Sequence, residues 1–237
     1  YLRLSFSCFD RPKSDTSYFY FSQKTKCHYD DGSSPQIRLQ RPFIYFGRSF
    51  NQIYVNHNGH LTFNAPWRSY TPQRFPLHGS RDIISPFWTD LDNRRNGQIY
   101  YNQYTRGSVL QQATRDINGY FPGLNFNANW VFVATWYEVA YYSKYWNGNK
   151  TFSANNTSTA GYDTVDSTHH FIIPGSFSNT ATGSNSNFRL NSNVNVPGRW
   201  AFRIDHGSRG CTFNGKTKTR GWSSLVLLYS IVHVTTH

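Results

Sequence analysis

The sequence contains no methionine, three cysteines and a single glutamate. A chain without methionine lacks an initiator residue, so we expect a mature form or a fragment. The cysteines are Cys8, Cys27 and Cys211. Their number is odd, so at least one is free or paired outside this chain. Cys8 and Cys27 are the candidates for a disulfide that closes an N-terminal loop, and no two cysteines have the spacing of zinc ligands.

Long apolar runs are also missing. No segment approaches the roughly 20 apolar residues that cross a bilayer, so we expect no membrane span. Residues 1–7 are too few to form the apolar region of a secretory signal.

The chain also has few acidic residues. The chain has 12 Asp and Glu against 24 Lys and Arg, which gives a formal net charge of +12. Such a surface is either only solvated or attracts polyanions, which are sulfated glycans outside cells and nucleic acid inside them. Lys and Arg form no block of five or six, so the chain has no basic arm. We therefore rank sulfated glycans above nucleic acid and expect no nucleic-acid partner.

Aromatic residues, in contrast, are abundant: 17 Tyr, 19 Phe and 7 Trp make up 18% of the chain. These residues favour strands, while few segments have the Leu, Ala, Glu and Lys mix of helices. With a polar surface of Asn, Ser, Thr and Gly, the composition is typical of a secreted, mainly β protein. Five tryptophans could line a sugar platform, although core packing is their expected role: Trp67, Trp88, Trp130, Trp136 and Trp200. Trp67, in a proline-bounded loop, is the least core-like of them.

Residues 81–101, RDIISPFWTDLDNRRNGQIYY, are the most informative stretch. Two apolar runs flank a turn rich in Asp, Asn and Gly, which predicts two strands joined by a loop. Upstream, Asn58-Gly59 separates two further apolar runs and predicts a hairpin, and residues 65–79 form a long loop with three prolines. Residues 129–142 are apolar at both odd and even positions, so this strand should be buried on both faces.

One short amphipathic helix is predicted over residues 107–118. Apolar residues recur there at intervals of three and four: Val109, Leu110, Ala113 and Ile117. Ser108 is the candidate cap, and the Phe-Pro-Gly sequence of residues 121–123 ends the helix.

Residues 144–161 change to polar sequence rich in Gly, Asn, Ser and Thr. Three N-x-Ser/Thr patterns make Asn149, Asn155 and Asn156 the candidates for N-glycosylation. The patterns at Asn155 and Asn156 overlap, so at most one of the two is usually used.

Asp90 and Asp92 are the sharpest candidates for a metal site. Two carboxylates two residues apart supply oxygen ligands of the kind that Ca²⁺ prefers. An EF-hand loop counted from Asp90 needs glycine at its sixth position, which is Arg95 here, and Arg94 takes the fifth, a ligand position. We therefore assign no metal site and favour a turn in which Asp and Asn side chains bind backbone N–H groups.

Signals of enzyme activity are weak. A glycosidase needs two carboxyls across a cleft, and the available pairs are Asp90 with Glu138 or with Asp163, at distances that the sequence does not set. The chain has no G-x-S-x-G or H-E-x-x-H motif. We interpret His169-His170 as a strand end rather than a ligand pair. We expect no enzyme activity, no catalytic residue and no cofactor.

Several stretches together resemble the NIDO (nidogen-like) domain family, and in particular its alpha-tectorin-like members: YFGRSFNQIYVNHNGHLTFN, SRDIISPFWTDLDNRRNGQIYY, NWVFVATWYEVAYY, AGYD and NVPGRWAFRID. The resemblance covers about residues 43–205. It implies an antiparallel β-sandwich-like, extracellular and secreted domain that acts without catalysis in cell–matrix adhesion and matrix assembly, through contacts with matrix proteins or cell-surface partners. The alternative is a carbohydrate-binding module that uses its basic surface on sulfated glycans.

The resemblance also divides the chain into three parts. Residues 1–42 become an N-terminal extension, residues 43–205 the domain, and residues 206–237 either the truncated start of a cysteine-rich module or a non-native tail. The family has a further strand pair before the AGYD turn, but residues 143–160 have the composition of a loop. We therefore expect this strand pair to be missing, which would leave sheet edges unpaired.

Overall fold

The computed structural model describes residues 2–7, 23–24, 30–79, 81–94, 96–146, 149–152, 157–178, 181, 186–205 and 225–230. Side chains are described within 30–142 (except 80 and 95), 157–178, 181 and 186–205. The fold is mainly β, as predicted, with two six-stranded sheets. No helix in the described part combines the length and the apolar character needed to cross a membrane.

The first sheet contains six strands, which follow one another across the sheet in this order: β15 (Arg199–Arg203), β16 (Leu225–Ser230), β1 (Leu2–Ser7), β9 (Val131–Tyr137), β8 (Gln98–Tyr104) and β2 (Gln23–Lys24). Strand β1 runs parallel to both of its neighbours. The other pairs of this sheet are antiparallel. The predicted strand of residues 129–142 is thus mainly β9, near the centre of the sheet.

The second sheet is antiparallel throughout. Its strands, again in spatial order, are the following: β14 (His170–Ile172), β13 (Thr159–Asp163), β6 (Ile83–Trp88), β5 (His60–Thr62), β4 (Arg48–Asn56) and β3 (Ile37–Tyr45). The hairpin predicted at Asn58-Gly59 joins β4 to β5, and the N–H of Gly59 donates to the carbonyl of Asn56 at 3.2 Å. Strand β5, which follows the Asn-Gly turn, and strand β6, which begins the stretch of residues 81–101, are both buried at every position.

The main core lies between the two sheets and is rich in aromatic rings. Phe43 of the second sheet packs on Phe63 at 5.5 Å between ring centroids and on Trp130, next to β9, at 6.5 Å. Fully burying one such side chain stabilises the fold by about 1.5–3 kcal/mol. Three of the five tryptophans are in this core, as predicted: Trp130, Trp136 and Trp200.

Helix α1 (Ser108–Tyr120) covers the outer face of the first sheet. Its four predicted apolar residues are buried against Val131, Val133 and Ala201. Strand β9 therefore has the main core on one face and the helix on the other, which confirms its predicted burial on both faces.

Two details of the helices differ from the prediction. Ser108 is the first residue of α1 rather than its cap, because the chain enters through Gly107 at φ 93°, and no side chain caps the helix. The last residue of α1 is Tyr120, and the Phe-Pro-Gly sequence that was predicted to end the helix follows it. The N–H of Phe121 donates to the carbonyl of Ile117. A second, single-turn helix, α2 (Asn187–Leu190), follows the Ser186 side chain, which accepts the N–H of Arg189.

The strand pair that was expected to be missing near residues 143–160 is present, so that expectation is wrong. Strands β11 (Ser143–Trp146) and β12 (Asn149–Phe152) pair antiparallel and form a separate two-stranded sheet. In the sequence, Asn147-Gly148 stands between them, and Asn-Gly between β-prone runs is a strong hairpin signal. The polar composition of the segment, with its N-x-Ser/Thr patterns, favoured a loop over this hairpin in the sequence-based interpretation.

Strands also occur outside the predicted domain boundaries. β1 lies in the predicted extension, β16 lies in the predicted tail, and both belong to the first sheet. The predicted boundary at residue 43 falls inside β3. The division of the chain into extension, domain and tail stays a prediction.

Candidate functional site

A long connection joins β5 to β6, and none of its described residues is in a helix or a strand. Its residues 65–79, here called the 65–79 loop, contain two arginines and one histidine but no Asp or Glu. Connections of this length without secondary structure are uncommon in compact domains and are usually functional. The loop is therefore the first candidate for a functional surface.

The loop lies over the outer face of the second sheet. Successive strand residues point to opposite faces, so the neighbours of the core residues point away from the main core; the core residues concerned are Val55, Leu61, Ala160 and Tyr162. Several of these outward residues are polar and nevertheless buried: Asn56, His60, Thr62, Thr159 and Asp163. Buried polar groups need hydrogen-bond partners, and the loop backbone supplies them.

Three of these side chains bind the first part of the loop. Asn56 Oδ1 accepts the N–H of Trp67 at 2.8 Å, and His60 Nε2 lies 2.9 Å from the carbonyl oxygen of Trp67. A carbonyl can only accept, so His60 Nε2 carries the proton. The Thr62 hydroxyl donates to the carbonyl of Ala65 at 2.7 Å. Asn56 Nδ2 donates to the carbonyl of His60 and to the Thr62 hydroxyl, which fixes the Asn56 amide.

The second part of the loop is held in the same way. The bonds run from Trp88 Nε1 to Ser69 O at 2.9 Å, from Thr159 Oγ1 to Gln73 O at 2.8 Å, from Leu77 N to Asp163 Oδ2 at 2.5 Å and from His78 N to Ser167 Oγ at 2.9 Å. Side chains of four neighbouring strands and of the turn after β13 thus position the loop backbone.

A small apolar cluster supports the loop from below. Phe75 of the loop packs with Ile83 and Trp88 of β6, and partly buried Trp67 and Leu77 extend the cluster. Trp88 is thus buried, as predicted, but under the loop rather than between the sheets. Trp67 is only partly buried and is thus the least core-like of the five tryptophans named above, as predicted; its ring centroid lies 4.7 Å from that of Trp88.

Burial shifts the pKa of two groups beneath the loop. Complete burial lowers the pKa of His60 from 6.5 to about 4, so its imidazole is neutral at physiological pH. Burial raises the pKa of Asp163, although the Leu77 N–H and the Ser167 hydroxyl favour its ionised form. Both groups therefore link the anchoring of the loop to pH.

The exposed side of the loop carries aromatic and cationic groups. Arg68 and Arg74 are exposed, and 52% of the surface of Tyr70 is accessible. The Arg81 guanidinium lies 4.5 Å from the centroid of the Trp67 ring, and the Arg74 guanidinium lies 4.5 Å from that of Phe177. These two guanidinium groups are thus held against aromatic rings.

The predicted turn of Asp90 and Asp92 has a different environment. Asp92 Oδ1 accepts the backbone N–H of Arg94 at 3.0 Å, as expected for a side chain that holds a turn. The Arg94 guanidinium binds both oxygens of Asp92 at 2.9 Å and Asp30 at 2.7 Å. The cation at Asp92 is therefore Arg94. No cluster of three or more His, Cys, Asp or Glu suited to a metal ion occurs among the described residues.

Asp30 and Asp92 also affect each other electrostatically. Partial burial and the neighbouring Asp92 raise the pKa of Asp30 to about 6, against the opposing effect of Arg94. The Arg94 side chain and backbone hold the pKa of Asp92 below its usual value despite burial. The turn is thus an ion-paired connection between residue 30 and β7 (Leu91–Asp92).

Asn58 joins two of the stretches that carry the NIDO resemblance. Its Nδ2 donates to Asp31 at 2.8 Å, and its Oδ1 accepts the N–H of Leu91 at 2.8 Å. Its backbone carbonyl accepts the N–H of Thr89 at 3.1 Å. The Asn-Gly hairpin and the aspartate-containing turn therefore form one buried scaffold, in which Asn58 is almost fully buried.

The other predicted residues lie in several places. Glu138 lies directly after β9 at φ 50°, and Asp163 lies beneath the 65–79 loop. His169 stacks on Phe46 at 4.6 Å, and His170 lies at the start of β14.

The glycosylation and disulfide candidates stay predictions. Asn149 begins β12, and its side chain lies outside the described part. Asn155, Asn156, Cys8 and Cys27 lie outside the described residues.

Sequence reasoning did not identify the role of the polar residues under the 65–79 loop. One signal was available: Asn56, His60 and Thr62 occupy the strand positions that alternate with Val55, Leu61 and Phe63. Such polar residues normally face solvent. Only the fold shows that a loop covers them.

Comparison with known proteins identifies the family. The nidogen-like domain matches residues 51–157 and 149–206. Alpha-tectorin of Homo sapiens is 35% identical over 240 residues, which cover 83% of this chain and 11% of that protein. Nidogen-2 of Mus musculus is 28% identical, over 81% of this chain and 17% of that protein. Nidogen of Drosophila melanogaster is 27% identical, over 73% of this chain and 15% of that protein.

The chain thus spans only about a tenth of the length of alpha-tectorin and about a sixth of the length of the nidogens. No solved structure matches the chain. The family match extends over most of the described sandwich, from within β4 to the end of β15. On these grounds the chain belongs to the nidogen-like domain family.

Proposed function

We propose that this chain is a non-catalytic, secreted extracellular domain that acts in cell–matrix adhesion and matrix assembly through protein–protein contacts. Membership of the nidogen-like family, with alpha-tectorin and nidogens among its relatives, is the observation that carries the proposal. Its partners are extracellular matrix proteins or cell-surface molecules.

The use of the acidic groups is in line with a binding role. Asp92 holds a turn with Arg94, and Asp163 holds the backbone of the 65–79 loop. Asp82 pairs with Arg48 and accepts the N–H of Val165. These carboxylates support loops and turns, and a glycosidase would need two of them across a cleft.

A pull-down from solubilised extracellular matrix tests the proposal. The immobilised chain should recover matrix proteins that a basic control protein of equal net charge does not recover. Recovery no greater than that of the control would overturn the proposal. Matching the net charge is essential, because a charge of +12 attracts polyanions without specificity.

Binding of sulfated glycans is the second candidate, and the distribution of charge gives it a location. The described side chains include 12 Arg against 10 Asp and Glu, a net charge of only +2. The remaining +10 of the total comes from residues 1–29 and 206–237 and from three further positions: Arg95, Lys144 and Lys150. A glycan attracted by net charge would therefore be held mainly at these positions.

Heparin chromatography at increasing salt tests this candidate. Specific binding should persist well above physiological ionic strength, where loose surface charge is screened. Substituting Lys144 and Lys150 by Ser should then lower the salt concentration of elution. Elution at or below physiological salt would remove glycan binding as a function of this chain.

A further inference from the structure

We propose that the exposed side of the 65–79 loop is the partner-binding surface of this domain, and that it takes an acidic protein segment with carboxylates next to an aromatic or apolar side chain. This inference rests on the proposed function, because it names the surface and the partner chemistry of a protein–protein contact. It follows from three properties of the loop, which are its anchoring, its uncompensated arginines and its exposed aromatic groups.

The anchoring makes the loop suitable for binding. Ordering a mobile loop on association lowers affinity, whereas a preorganised loop avoids that cost. Here side chains of the second sheet and of the turn after β13 fix the backbone at points from Ala65 to His78 before any partner arrives. The buried polar groups of the second sheet serve this anchoring and are consequently not exposed to a ligand.

Among the described residues, the arginines of the loop face have no acidic partner. The loop contains no carboxylate. Asp82, the first acid after the loop in the sequence, is buried and pairs with Arg48, and Asp163 lies beneath the loop. The four ion pairs of the described part use other arginines: Arg48, Arg94 and Arg203. The cationic groups of the loop face thus remain available: Arg68, Arg74 and Arg81.

Stacking prepares two of these arginines for carboxylate binding. Arg81 lies over Trp67 and Arg74 lies over Phe177, each at 4.5 Å from the ring centroid. A guanidinium group held on an aromatic ring keeps its N–H donors at the edge of its plane, where they fit a carboxylate in a bidentate manner. Less side-chain entropy is lost when such a group binds.

The aromatic groups favour a protein segment over a sulfated glycan. Tyr70 is one of two large hydrophobic residues in the described part that are clearly exposed, and it lies between Arg68 and Arg74. Aromatic residues and arginine together are typical of the energetic centre of protein interfaces. A polyanionic glycan responds mainly to summed charge, and the described side chains sum to only +2.

The test uses the full chain and a random copolymer of glutamate and tyrosine as the probe. The wild-type chain should bind the immobilised copolymer. The triple variant R68S/Y70A/R74S should bind at least about tenfold more weakly, as expected for the loss of a central interface residue worth 1.4 kcal/mol or more. All three substitutions are at exposed positions, so the melting temperature should fall only slightly, through the loss of the Arg74 contact with Phe177. The single variant R81K keeps the charge but loses the planar group, and should weaken binding as well.

The matched control is R106S/R115S, which removes two exposed arginines at and before α1. An equal loss of copolymer binding in this control would show that only net charge matters, and would overturn the proposal. Failure of the wild-type chain to bind the copolymer would also overturn it. A heparin fragment provides the third arm: if the loop variant loses heparin binding and retains copolymer binding, the occupant is a glycan and the proposal is wrong.

The matrix pull-down separates this inference from the proposed function. If the wild-type chain and R68S/Y70A/R74S recover the same matrix proteins above the basic control, the adhesion function stands and the loop is not its surface. If neither recovers any, the adhesion function itself fails. Selective loss of recovery in the loop variant, together with copolymer binding by the wild type, supports both.

Discussion

The outer faces of the two sheets are covered in different ways. Over the first sheet, α1 contributes four aliphatic residues that pack on aliphatic residues of β9 and β15. Over the second sheet, the 65–79 loop contributes mainly backbone groups, which bind buried polar side chains of the strands. A helix satisfies most of its own backbone hydrogen bonds, whereas a loop must find partners elsewhere, because buried unpaired backbone groups cost free energy.

This difference determines what each cover presents to solvent. The apolar stripe of α1 leaves a polar helix face without ring-stacked arginines among its described contacts. Trp67, Phe75 and Leu77 of the loop pack in the apolar cluster beneath it. Most of the hydrogen bonds that hold the loop come from side chains of the strands below it. Arg68 and Tyr70 of the loop, in contrast, are exposed to solvent. Of the two covers, the 65–79 loop is therefore the one suited to bind a partner.

The largest effect is expected from Asn56→Ala. This substitution removes the acceptor of the Trp67 N–H and the donor to the His60 carbonyl, so buried groups lose their partners. Each such group costs about 1–3 kcal/mol, and we expect the free energy of unfolding to fall by about 4 kcal/mol. Denaturant unfolding measures this change.

Limited trypsin digestion should also show faster cleavage after Arg68 in this variant, because the loop opens. The control is Asn51→Ala, an exposed position on the same strand, which should change stability by less than about 0.5 kcal/mol. Equal and small effects of the two substitutions would mean that the loop is not held by the polar network.

A smaller effect is expected from Ile117→Ala in α1. Ile117 is fully buried against the first sheet, and truncating a buried isoleucine costs about 3 kcal/mol. Trypsin cleavage in the 65–79 loop under native conditions should stay at the wild-type rate, because the helix and the loop cover opposite sheets. Gln111→Ala, at an exposed position of the same helix, serves as the control. Faster loop cleavage in Ile117→Ala would contradict the independence of the two covers.

The helix over the first sheet could be predicted from sequence, because the residues that show its buried side lie close together in the chain. The spacing of Val109, Leu110, Ala113 and Ile117 alone identifies the buried stripe. Even the misplaced cap at Ser108 is an error of one residue, since Gly107 enters the helix with a positive φ that the spacing does not encode. The same local reasoning identified the strand with two buried faces, although not the helix that covers one of them.

The position of the 65–79 loop could not be predicted, because the residues that bind it are far from it in the sequence. Trp67 binds Asn56, 11 residues away, and Leu77 binds Asp163, 86 residues away. No periodicity links such positions. The acidic spacing of Asp90 and Asp92, in contrast, is visible locally, although these residues belong to an ion-paired turn. The family motif was nevertheless informative, since Asn58 and the stretch around Leu91 contact each other.

The two covers should also differ in their response to acid. The pKa of His60 is about 4 in the folded state and 6.5 ordinarily, so below pH 6.5 the unfolded chain binds a proton that the folded chain does not. This contribution to stability is therefore complete above pH 6.5 and is lost as the pH falls toward 4. At pH 5 we expect a loss of about 2 kcal/mol relative to pH 7.

Unfolding of wild type and His60→Gln at several pH values tests this expectation. The difference between the two profiles removes the titration of groups that both proteins share, including Asp30 with its raised pKa. The difference should shrink as the pH falls from 7 to 5, because only the wild type is penalised. Ile117→Ala should shift the profile downwards without changing its shape. A pH-independent difference between wild type and His60→Gln would show that His60 does not link loop anchoring to pH.

The smallest effect is expected from Thr159→Val, which removes a single anchor of the loop. The valine has nearly the same shape but cannot donate to the carbonyl of Gln73, so we expect a loss of about 1 kcal/mol. Its effect should be local, with faster trypsin cleavage after Arg74 and unchanged cleavage after Arg68, whose neighbours Trp67 and Ser69 keep their own anchors. Thr105→Val, at an exposed position outside the loop, should leave both cleavage rates unchanged. Equal acceleration at both arginines would mean that the loop opens as one unit, and that its anchors act cooperatively rather than one by one.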